Sequence, residues 1–378
     1  MTKRDLGQKA IALHKKLGGK ITVVPVVPIK DRAMLSLVYT PGVAAVSSLV
    51  AKHPAKARDY TIKGKMVAVI SDGSAVLGLG NVGALGALPV MEGKCALFKT
   101  FAGVEAFPLV LNTQDPKEIV ETIVRVAPAF GGINLEDFAA PKCFYIEEEL
   151  QKRLDIPVMH DDQHGTAIAV LAALINAAKV VKKDLKKLKV VITGAGAAGT
   201  ATARLLVKAG IKDIIVLDRK GIVTATRKEP HKKELARLTN PRRVAGGVAQ
   251  ALHGADVVLG VSGPGVLNAV DIRLMAPRAI VFAMANPTPE ISPEDALAGG
   301  AMVVGTGRSD YPNQINNSLV FPGGFRGALE HGVTKVTDEM KLRAAKSLAA
   351  LVPRPTATRI VPGPFDKGVA DAVAKAIR

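Results

Sequence analysis

The sequence is poor in aromatic residues and in cysteine, and each shortage excludes a class of protein. Aromatics make up 4% of the 378 residues and tryptophan is absent, so no stacking platform for single-stranded nucleic acid is apparent. The two cysteines, Cys95 and Cys143, are too few for a disulfide framework and indicate a reducing cytoplasm. No apolar run is expected to reach the roughly 18 residues that a bilayer span requires, and the amphipathic N-terminus does not resemble a signal core. We therefore expect a cytoplasmic protein with no membrane partner.

Acidic residues are scarce relative to basic ones, and the formal net charge is +18. Such a surplus raises a nucleic-acid hypothesis, but the basic residues are scattered outside residues 179–189 and 227–233, which flank predicted elements as solvated faces would. We expect no nucleic-acid partner, and positive charge that attracts anionic small molecules. With 48% hydrophobic residues, the chain is long enough for two α/β domains, each with its own core.

Two acidic pairs stand about 25 residues apart, and each follows a short apolar run that predicts the end of a buried strand. They are Glu136-Asp137 and Asp161-Asp162. Carboxylates at such positions are costly unless they are paired or bind a cation, and all-oxygen sites suit Mg²⁺ or Mn²⁺. Acidic N-caps are the alternative, with Asp162 preceding a predicted helix at Thr166–Val181. The two pairs together, near a nucleotide motif, favour the metal.

The pentad His160-Asp161-Asp162-Gln163-His164 resembles a zinc motif in which two histidines lie four apart on a helix. Here the first histidine follows the strand-like Pro157-Val158-Met159, and Gly165 follows the second. The pentad is therefore predicted to be a strand-to-helix turn, and a zinc hydrolase is disfavoured.

A strand from Lys189 leads into the glycine motif Gly194-Ala195-Gly196-Ala197-Ala198-Gly199 and then a helix, and a second strand ends in Asp218. This is the complete dinucleotide fingerprint in its required context. Asp218 favours the ribose hydroxyls of NAD, whereas the nearby Arg219, Lys220 and Arg227 suit the 2′-phosphate of NADP, so both coenzymes stay open. Further strands, predicted at 256–261, 279–284 and 301–306, indicate a doubly wound, Rossmann-type sheet.

Three features of the first half have both a structural and a functional interpretation. Tyr39 is predicted in a turn before a helix at Val43–Lys52, where a packed tyrosine is as reasonable as a catalytic one. Lys94 is predicted at the entry of an apolar strand after a helix at Ala84–Met91, where it either extends to solvent or is held for chemistry. A second G-x-G-x-x-G beginning at Gly78 has no acidic residue after a following strand, and predicts a glycine-rich turn near a ligand.

At this point the sequence closely resembles the malic enzymes, in particular their short microbial form, over nearly the whole chain. Eight blocks in the family's order carry the resemblance: YTPGVA at Tyr39, SDGSAVLGLGNVG at Ser71, EGKCALFK at Glu92, INLEDFAAPKCF at Ile133, HDDQHGTA at His160, GAGAAG at Gly194, ANPTPEI at Ala285 and TGRSDYPNQINNSLVFPG at Thr306.

The resemblance implies oxidative decarboxylation of (S)-malate to pyruvate and CO₂ by NAD or NADP with Mg²⁺ or Mn²⁺. Lys94 would be the general base, with its pKa lowered by desolvation and the metal, Asp161 its partner, and Tyr39 the acid that protonates the enol carbon. The implied metal ligands are Glu136, Asp137 and Asp162, and the implied substrate and nicotinamide residues are Asn286 and Asn317. Where the larger eukaryotic branch has an arginine that binds a substrate carboxylate, this chain has Ser74-Ala75. The sequence does not identify the group that binds this carboxylate here.

We expect a substrate domain over residues 1–160 and a nucleotide-binding domain over 161–378, with the site between them. The last segment, 365–378, is predicted to be an amphipathic helix that folds back onto the first domain. The resemblance implies a homodimer or a higher homo-oligomer acting on malate, oxaloacetate and pyruvate. The rival interpretations are an oxaloacetate decarboxylase, a 2-hydroxy-acid dehydrogenase of the same fold, and a basic protein that only binds nucleotide or nucleic acid.

Overall fold

A computed structural model describes residues 3–378, which fold around two parallel sheets. The strands are β1 (Met66–Ser71), β2 (Glu105–Val110), β3 (Gly132–Leu135), β4 (Val158–His160), β5 (Lys189–Thr193), β6 (Asp213–Asp218), β7 (Gly221–Ile222), β8 (Val257–Gly260), β9 (Ala279–Ala283) and β10 (Ala301–Thr306). The helices are α1 (Lys3–Leu17), α2 (Arg32–Val38), α3 (Val43–Lys52), α4 (Ala57–Tyr60), α5 (Gly83–Ala102), α6 (Pro116–Val126), α7 (Lys142–Arg153), α8 (Asp161–Val180), α9 (Ala197–Lys208), α10 (Pro230–Leu238), α11 (Val248–Leu252), α12 (Ala269–Arg273), α13 (Pro293–Ala298), α14 (Phe321–Glu330), α15 (Asp338–Ala350) and α16 (Val369–Ala376).

The first sheet has the strand order β2-β1-β3-β4, and all its pairs are parallel. β1 and β3 lie in the middle and are buried almost throughout, as expected for parallel strands covered by helices on both faces. In the register of β3 with β4, Leu135 lies beside His160. The residues that follow these two strands therefore leave the same edge of the sheet side by side.

The second sheet has the order β10-β9-β8-β5-β6-β7, which is parallel except for the short antiparallel edge strand β7. The strand order reverses between β5 and β8, and the carboxyl ends of these two strands form the crevice where doubly wound sheets bind ligands. The predicted doubly wound fold is confirmed, and the strands predicted after β6 are present at β8, β9 and β10.

Helix α8 and the C-terminal helices connect the two sheets. Most of α8 is buried, and its Asn176 side chain donates hydrogen bonds to two carbonyls of the C-terminal segment, at 2.8 and 2.9 Å. At α14, Phe321 and Phe325 pack edge-on against Phe98 beside the first sheet. In the segment 365–378, the ring of Phe365 lies 5.4 Å from that of Phe101 on α5.

Two helix boundaries differ from the sequence-based expectation. The helix expected at Ala84–Met91 and the strand expected after Lys94 are one helix, α5, so the placement of Lys94 on a strand is wrong. α5 is continuous because its buried residues fall at helical spacing on one face: Ala87, Met91, Cys95 and Phe98. The helix expected at Thr166–Val181 begins earlier, at Asp161, so the acidic pair occupies its first turn, where the helix dipole favours negative charge.

The N-terminal arm, residues 21–62, contains no buried residue. One part of it, Arg32–Lys52, is long and apolar enough to cross a membrane by length and composition alone, so the expectation that no segment reaches that length is wrong. The segment is two helices, α2 and α3, separated by a turn at residues 39–42, whereas a span needs continuous internal hydrogen bonding. The arm instead exposes a large apolar surface: Val23, Val24, Val26, Ile29, Leu35, Leu37 and Val46.

Candidate functional site at the ends of β3 and β4

Both acidic pairs follow strand ends, as the sequence predicts. Glu136 and Asp137 come directly after β3, and Asp161 and Asp162 come directly after β4. The strands are hydrogen-bonded neighbours, and the backbone N–H of Asp137 donates to Asp162 Oδ2 at 2.8 Å. Two segments about 25 residues apart in sequence therefore place their carboxylates together at one buried edge.

Lys94 projects from α5 into this group of carboxylates. Its Nζ donates to Glu136 Oε1 at 2.7 Å and to Asp161 Oδ2, and it lies 3.9 Å from the centre of the Phe321 ring. Lys94, Glu136 and Asp161 are all buried. The interpretation in which Lys94 extends to solvent is therefore wrong, because its ammonium is paired within the protein.

The pKa of Lys94 moves in the opposite direction from the sequence-based expectation. Burial lowers it, but the carboxylates of Asp161, Glu136 and Asp162 together outweigh burial and raise the pKa above its ordinary value. Desolvation and a metal would lower this pKa, but the fold places several carboxylates around one ammonium, and their attraction has the larger effect.

Three of the four carboxylates bind protons more tightly than free side chains. Burial, with repulsion from Asp162, raises the pKa of Asp137 to about 7. Burial raises the pKa of Asp161 to about 6, against the attraction of Lys94. Burial also raises the pKa of Glu136. For Asp162, burial acts in the same direction, but His160, Lys94 and the backbone N–H of Asp137 together outweigh it and lower the pKa.

This set of oxygen atoms suits a hard divalent cation. Three buried carboxylates (Glu136, Asp137 and Asp161) and the partly exposed Asp162 lie around one lysine. Asp137 Oδ2 and Asp161 Oδ1 are buried without a hydrogen-bond partner. A cation would relieve both the repulsion and the unsatisfied oxygens. Within residues 3–378, no three acidic, histidine or cysteine side chains are positioned as ligands of one ion, and Glu136 faces Lys94. The ligand set Glu136, Asp137 and Asp162 stays a prediction.

A buried carboxylate on α7 organises the turn from β4 into α8. Glu147 accepts hydrogen bonds from the backbone N–H of His160 at 2.8 Å and from the Gln163 side chain at 2.9 Å, and it lies 3.0 Å from His164 Nε2. His160 Nε2 instead lies 3.3 Å from Asp162 Oδ2. The two histidines engage different carboxylates. The chain does pass from strand to helix within the pentad, but directly at Asp161, so residues 161–164 are the first turn of α8 and not a separate turn.

The glycine turn after β5 has the geometry that the dinucleotide fingerprint requires. Gly194 has a φ of +125°, and a Cβ there would lie 2.4 Å from the Val261 carbonyl after β8. A Cβ on Gly199 would lie 1.8 Å from the Gly194 carbonyl, whereas one on Gly196 would meet nothing within 4 Å. The turn is therefore closed towards the protein and open where a pyrophosphate would approach the N-terminus of α9, next to Ala195, Ala197 and Ala198.

Asp218 lies at the end of β6, as predicted, but its carboxylate is already engaged. Oδ1 accepts hydrogen bonds from Arg227 at 2.8 Å and from the backbone N–H of Lys220 at 2.8 Å, and Oδ2 accepts one from Lys232 at 2.7 Å. Burial opposes these contacts, which still hold the pKa of Asp218 below its usual value. The negative charge of Asp218, which is expected to face the ribose of the coenzyme, is therefore offset by Arg227 and Lys232.

The two predicted asparagines lie near different parts of the site. Asn317 lines a cavity of about 510 Å³ together with Lys94 and Glu136. Asn286 lies against the other glycine-rich turn, because a Cβ on Gly78 would be 2.6 Å from the Asn286 carbonyl oxygen. Gly78 therefore brings a turn from the first half of the chain against a loop at the carboxyl end of β9.

Tyr39 is not brought to this site within the chain. It ends α2 in the turn that the sequence predicts, but its side chain is 66% exposed. Among the described residues that line the Lys94 cavity, Tyr39 does not occur.

Sequence reasoning missed three residues of this region: Lys20, Glu147 and Phe321. Lys20 and Phe321 line the cavity with Lys94, but they lie 74 and 227 positions from it along the chain. Only Glu147 had a usable signal: it is one of three consecutive acids, and it is the one that lies four residues after Cys143, at the spacing of a helix face.

Comparison with known proteins agrees with this architecture. Residues 18–151 match the family model of the malic enzyme N-terminal domain, and residues 163–367 match that of the malic enzyme NAD binding domain. An NAD-dependent malic enzyme from Geobacillus stearothermophilus is 52% identical, covering 99% of this chain and 78% of that protein. A bifunctional malic/malolactic enzyme from Bacillus subtilis is 51% identical, covering 99% and 92%.

Solved structures show the same likeness in three dimensions. The crystal structure of an NAD-dependent malic enzyme from Thermotoga maritima superposes with a TM-score of 0.94 at 46% identity, covering 97% of this chain and 98% of that one. A malic enzyme from Pyrococcus horikoshii also has a TM-score of 0.94, at 48% identity, with coverage of 98% and 89%. The buried lysine–carboxylate group, the nucleotide turn and these matches lead to one conclusion: the chain belongs to the malic enzyme family.

Proposed function

We propose that the protein oxidises (S)-malate and decarboxylates it to pyruvate and CO₂, with transfer of hydride to NAD⁺ or NADP⁺. The observation that carries this proposal is Lys94, buried between Glu136 and Asp161 at the ends of two parallel strands. A buried lysine that lines a cavity and is hydrogen-bonded to a carboxylate with a raised pKa can relay a proton from a hydroxyl to that carboxylate. The nucleotide turn after β5 supplies the place for the coenzyme.

In this reaction the Lys94 ammonium passes one proton to Asp161 through their hydrogen bond, and the resulting amine accepts the proton of the C2 hydroxyl. Asp161 thus both orients Lys94 and takes up its proton. Asn317 borders the same cavity and would position the substrate. Glu136, Asp137 and Asp162 would hold a Mg²⁺ or Mn²⁺ ion, which supplies Lewis acidity towards the substrate oxygens when bound. The protein thus combines a proton acceptor, a charge-stabilising group and a hydride acceptor around one small molecule.

The test is the absorbance of reduced nicotinamide with malate, Mn²⁺ or Mg²⁺, and each coenzyme in turn, followed by product analysis. The proposal expects pyruvate, CO₂ and reduced coenzyme in equal amounts. Oxaloacetate as the accumulating product would indicate a plain dehydrogenase, and CO₂ from oxaloacetate without malate oxidation would indicate a decarboxylase. Lactate is also to be measured, because the Bacillus subtilis relative is named a malic/malolactic enzyme.

The division of the chain proposed here falls near residue 160, between β4 and α8. It is supported by the first sheet, which ends with β4, and by the second, which begins with β5. The proposed location is the cytoplasm, and it is supported by two free, buried cysteines.

The proposed assembly is a homodimer in which Tyr39 of one copy completes the site of the other. Three observations support it. The N-terminal arm has no buried residue and exposes apolar side chains that a stable monomer would cover. The helix α5, which carries Lys94, also has exposed apolar residues on its outer side, Leu85 and Val90. Tyr39 is the tyrosine that matches the family's proton donor, and its own chain does not bury it.

Complementation between two inactive variants tests this assembly. Tyr39→Phe and Lys94→Met are each expected to be inactive, but co-expressed chains would form mixed dimers with one intact site each. Random pairing then restores about one quarter of wild-type activity per dimer. Activity no higher than that of either variant alone, in a sample shown to contain mixed dimers, would mean that Tyr39 does not act across the interface.

A further inference from the structure

Lys20 lies between α1 and the N-terminal arm, yet it lines the Lys94 cavity. It shares that cavity with Glu136, Asn317 and Phe321. Its Nζ donates to the Pro89 carbonyl on α5, which leaves two of the three ammonium hydrogens without that bond. Lys20 thus places a second ammonium beside Lys94, although the two residues lie 74 positions apart in the chain.

The sequence Glu92-Gly93-Lys94 on α5 provides the place for Lys20. The Glu92 carboxylate accepts the backbone N–H of Lys20 at 3.0 Å. A Cβ on Gly93 would lie only 3.3 Å from Lys20 Nζ, so a larger residue there would displace the ammonium. In this triplet the first residue anchors Lys20, the second gives it space, and the third is the proton acceptor.

The polar groups of the loop at Ser74-Ala75, and the nearby Lys142, are already engaged. The Ser74 hydroxyl accepts the Ala139 backbone N–H at 2.9 Å, and the Ala75 backbone N–H donates to the Asp137 carbonyl at 2.9 Å. Lys142 is paired with the buried Asp72. The loop at Ser74-Ala75, where the larger eukaryotic branch has an arginine, therefore uses its polar groups to hold the turn after β3.

We propose that the Lys20 ammonium binds the carboxylate of malate that is retained in pyruvate, and so selects 2-hydroxy acids of this class. This inference rests on the proposed function and names a binding residue within the same site. The retained carboxylate fits better than the departing one, because a cation that stabilises the departing carboxylate would oppose its loss as neutral CO₂. Burial lowers the pKa of Lys20, against the charge of Glu92, and an anionic ligand would compensate that desolvation.

The test compares Lys20→Met, which keeps the length and removes the charge, with Lys20→Arg and a matched control, Lys16→Met, at an exposed lysine of α1. A lost charge-assisted hydrogen bond to substrate is expected to raise the KM for malate roughly 10- to 100-fold. We expect kcat to change less than about threefold, since the contact is the same in the ground and transition states. The KM for the coenzyme should be unchanged.

Pyruvate product inhibition identifies the carboxylate. If Lys20 holds the retained one, the inhibition constant of pyruvate rises by about the same factor as the KM for malate in Lys20→Met, and Lys20→Arg recovers most of both. An unchanged KM for malate in a folded Lys20→Met protein overturns the proposal, and so does an equal effect of Lys16→Met. A rise in KM without any change for pyruvate overturns the choice of the retained carboxylate. Wild-type protein that does not oxidise malate would instead refute the proposed function itself.

Discussion

Replacement of Gly165 by alanine tests how strictly the position of the Lys94 ammonium depends on Asp161. Gly165 lies in α8, four residues after Asp161, and a Cβ there would lie 1.8 Å from Asp161 Oδ1. Ordinary contact begins near 3.4 Å, so the carboxylate must move by roughly 1.5 Å. The other oxygen of the same carboxylate accepts the hydrogen bond from Lys94, and that bond cannot survive such a movement.

Both activity and stability should therefore fall. A displacement of about 1 Å near the reacting atoms costs on the order of 100-fold in rate. Disrupting a buried ion pair costs about 3–5 kcal/mol when a charge is left unpaired, and the better helix propensity of alanine returns only about 1 kcal/mol. We expect kcat to fall about 100-fold, and the free energy of unfolding, measured in urea, to fall by roughly 2–4 kcal/mol.

The matched control is Gly324→Ala, another buried helical glycine. A Cβ there meets nothing within 4 Å, so this variant should keep its activity and gain about 0.5–1 kcal/mol of stability. Gly165→Ala with wild-type kcat and a similar gain would refute the view that Gly165 is required by the position of the Asp161 carboxylate.

Two further predictions concern the thiols and the coenzyme. Burial raises the pKa of both Cys95 and Cys143 to about 12, so the native protein should react with a thiol reagent at pH 8 at least about 100 times more slowly than the unfolded chain; rapid labelling of the folded protein would contradict this. The double change Lys232→Met and Arg227→Met removes both cations that neutralise Asp218. The freed carboxylate repels the 2′-phosphate of NADP, so the kcat/KM for NAD divided by that for NADP should rise at least about tenfold. An unchanged or lower ratio in coenzyme kinetics would show that the pairing of Asp218 does not govern selection.

The parts of the site that could be predicted from sequence are those in which one local pattern determines the geometry. A short apolar run followed by two acids predicted the ends of β3 and β4, and the pairing of parallel strands then brought Glu136 and Asp161 together. The glycine spacing from Gly194 to Gly199 likewise predicted its own turn. Each of these inferences needs only a few consecutive residues and the general properties of parallel sheets.

The remaining parts depend on contacts between distant segments. Lys94 was expected on a strand because Cys95–Phe98 is apolar, whereas its helical position is determined by packing along the whole of α5. The direction of its pKa shift depends on how many carboxylates surround it, and Asp162 lies 68 positions away. Lys20 reaches the cavity through Glu92 and the space above Gly93, a contact that no pattern near Lys20 indicates.

The most direct test of the central claim is turnover by Lys94→Ala and Asp162→Ala at saturating malate, coenzyme and Mn²⁺. The buried lysine–carboxylate group predicts that each variant loses at least ~10²-fold in kcat, the scale of a lost acid–base or electrostatic contribution, while it still binds the coenzyme at the turn after β5. Near-normal malate oxidation by either variant would contradict the account.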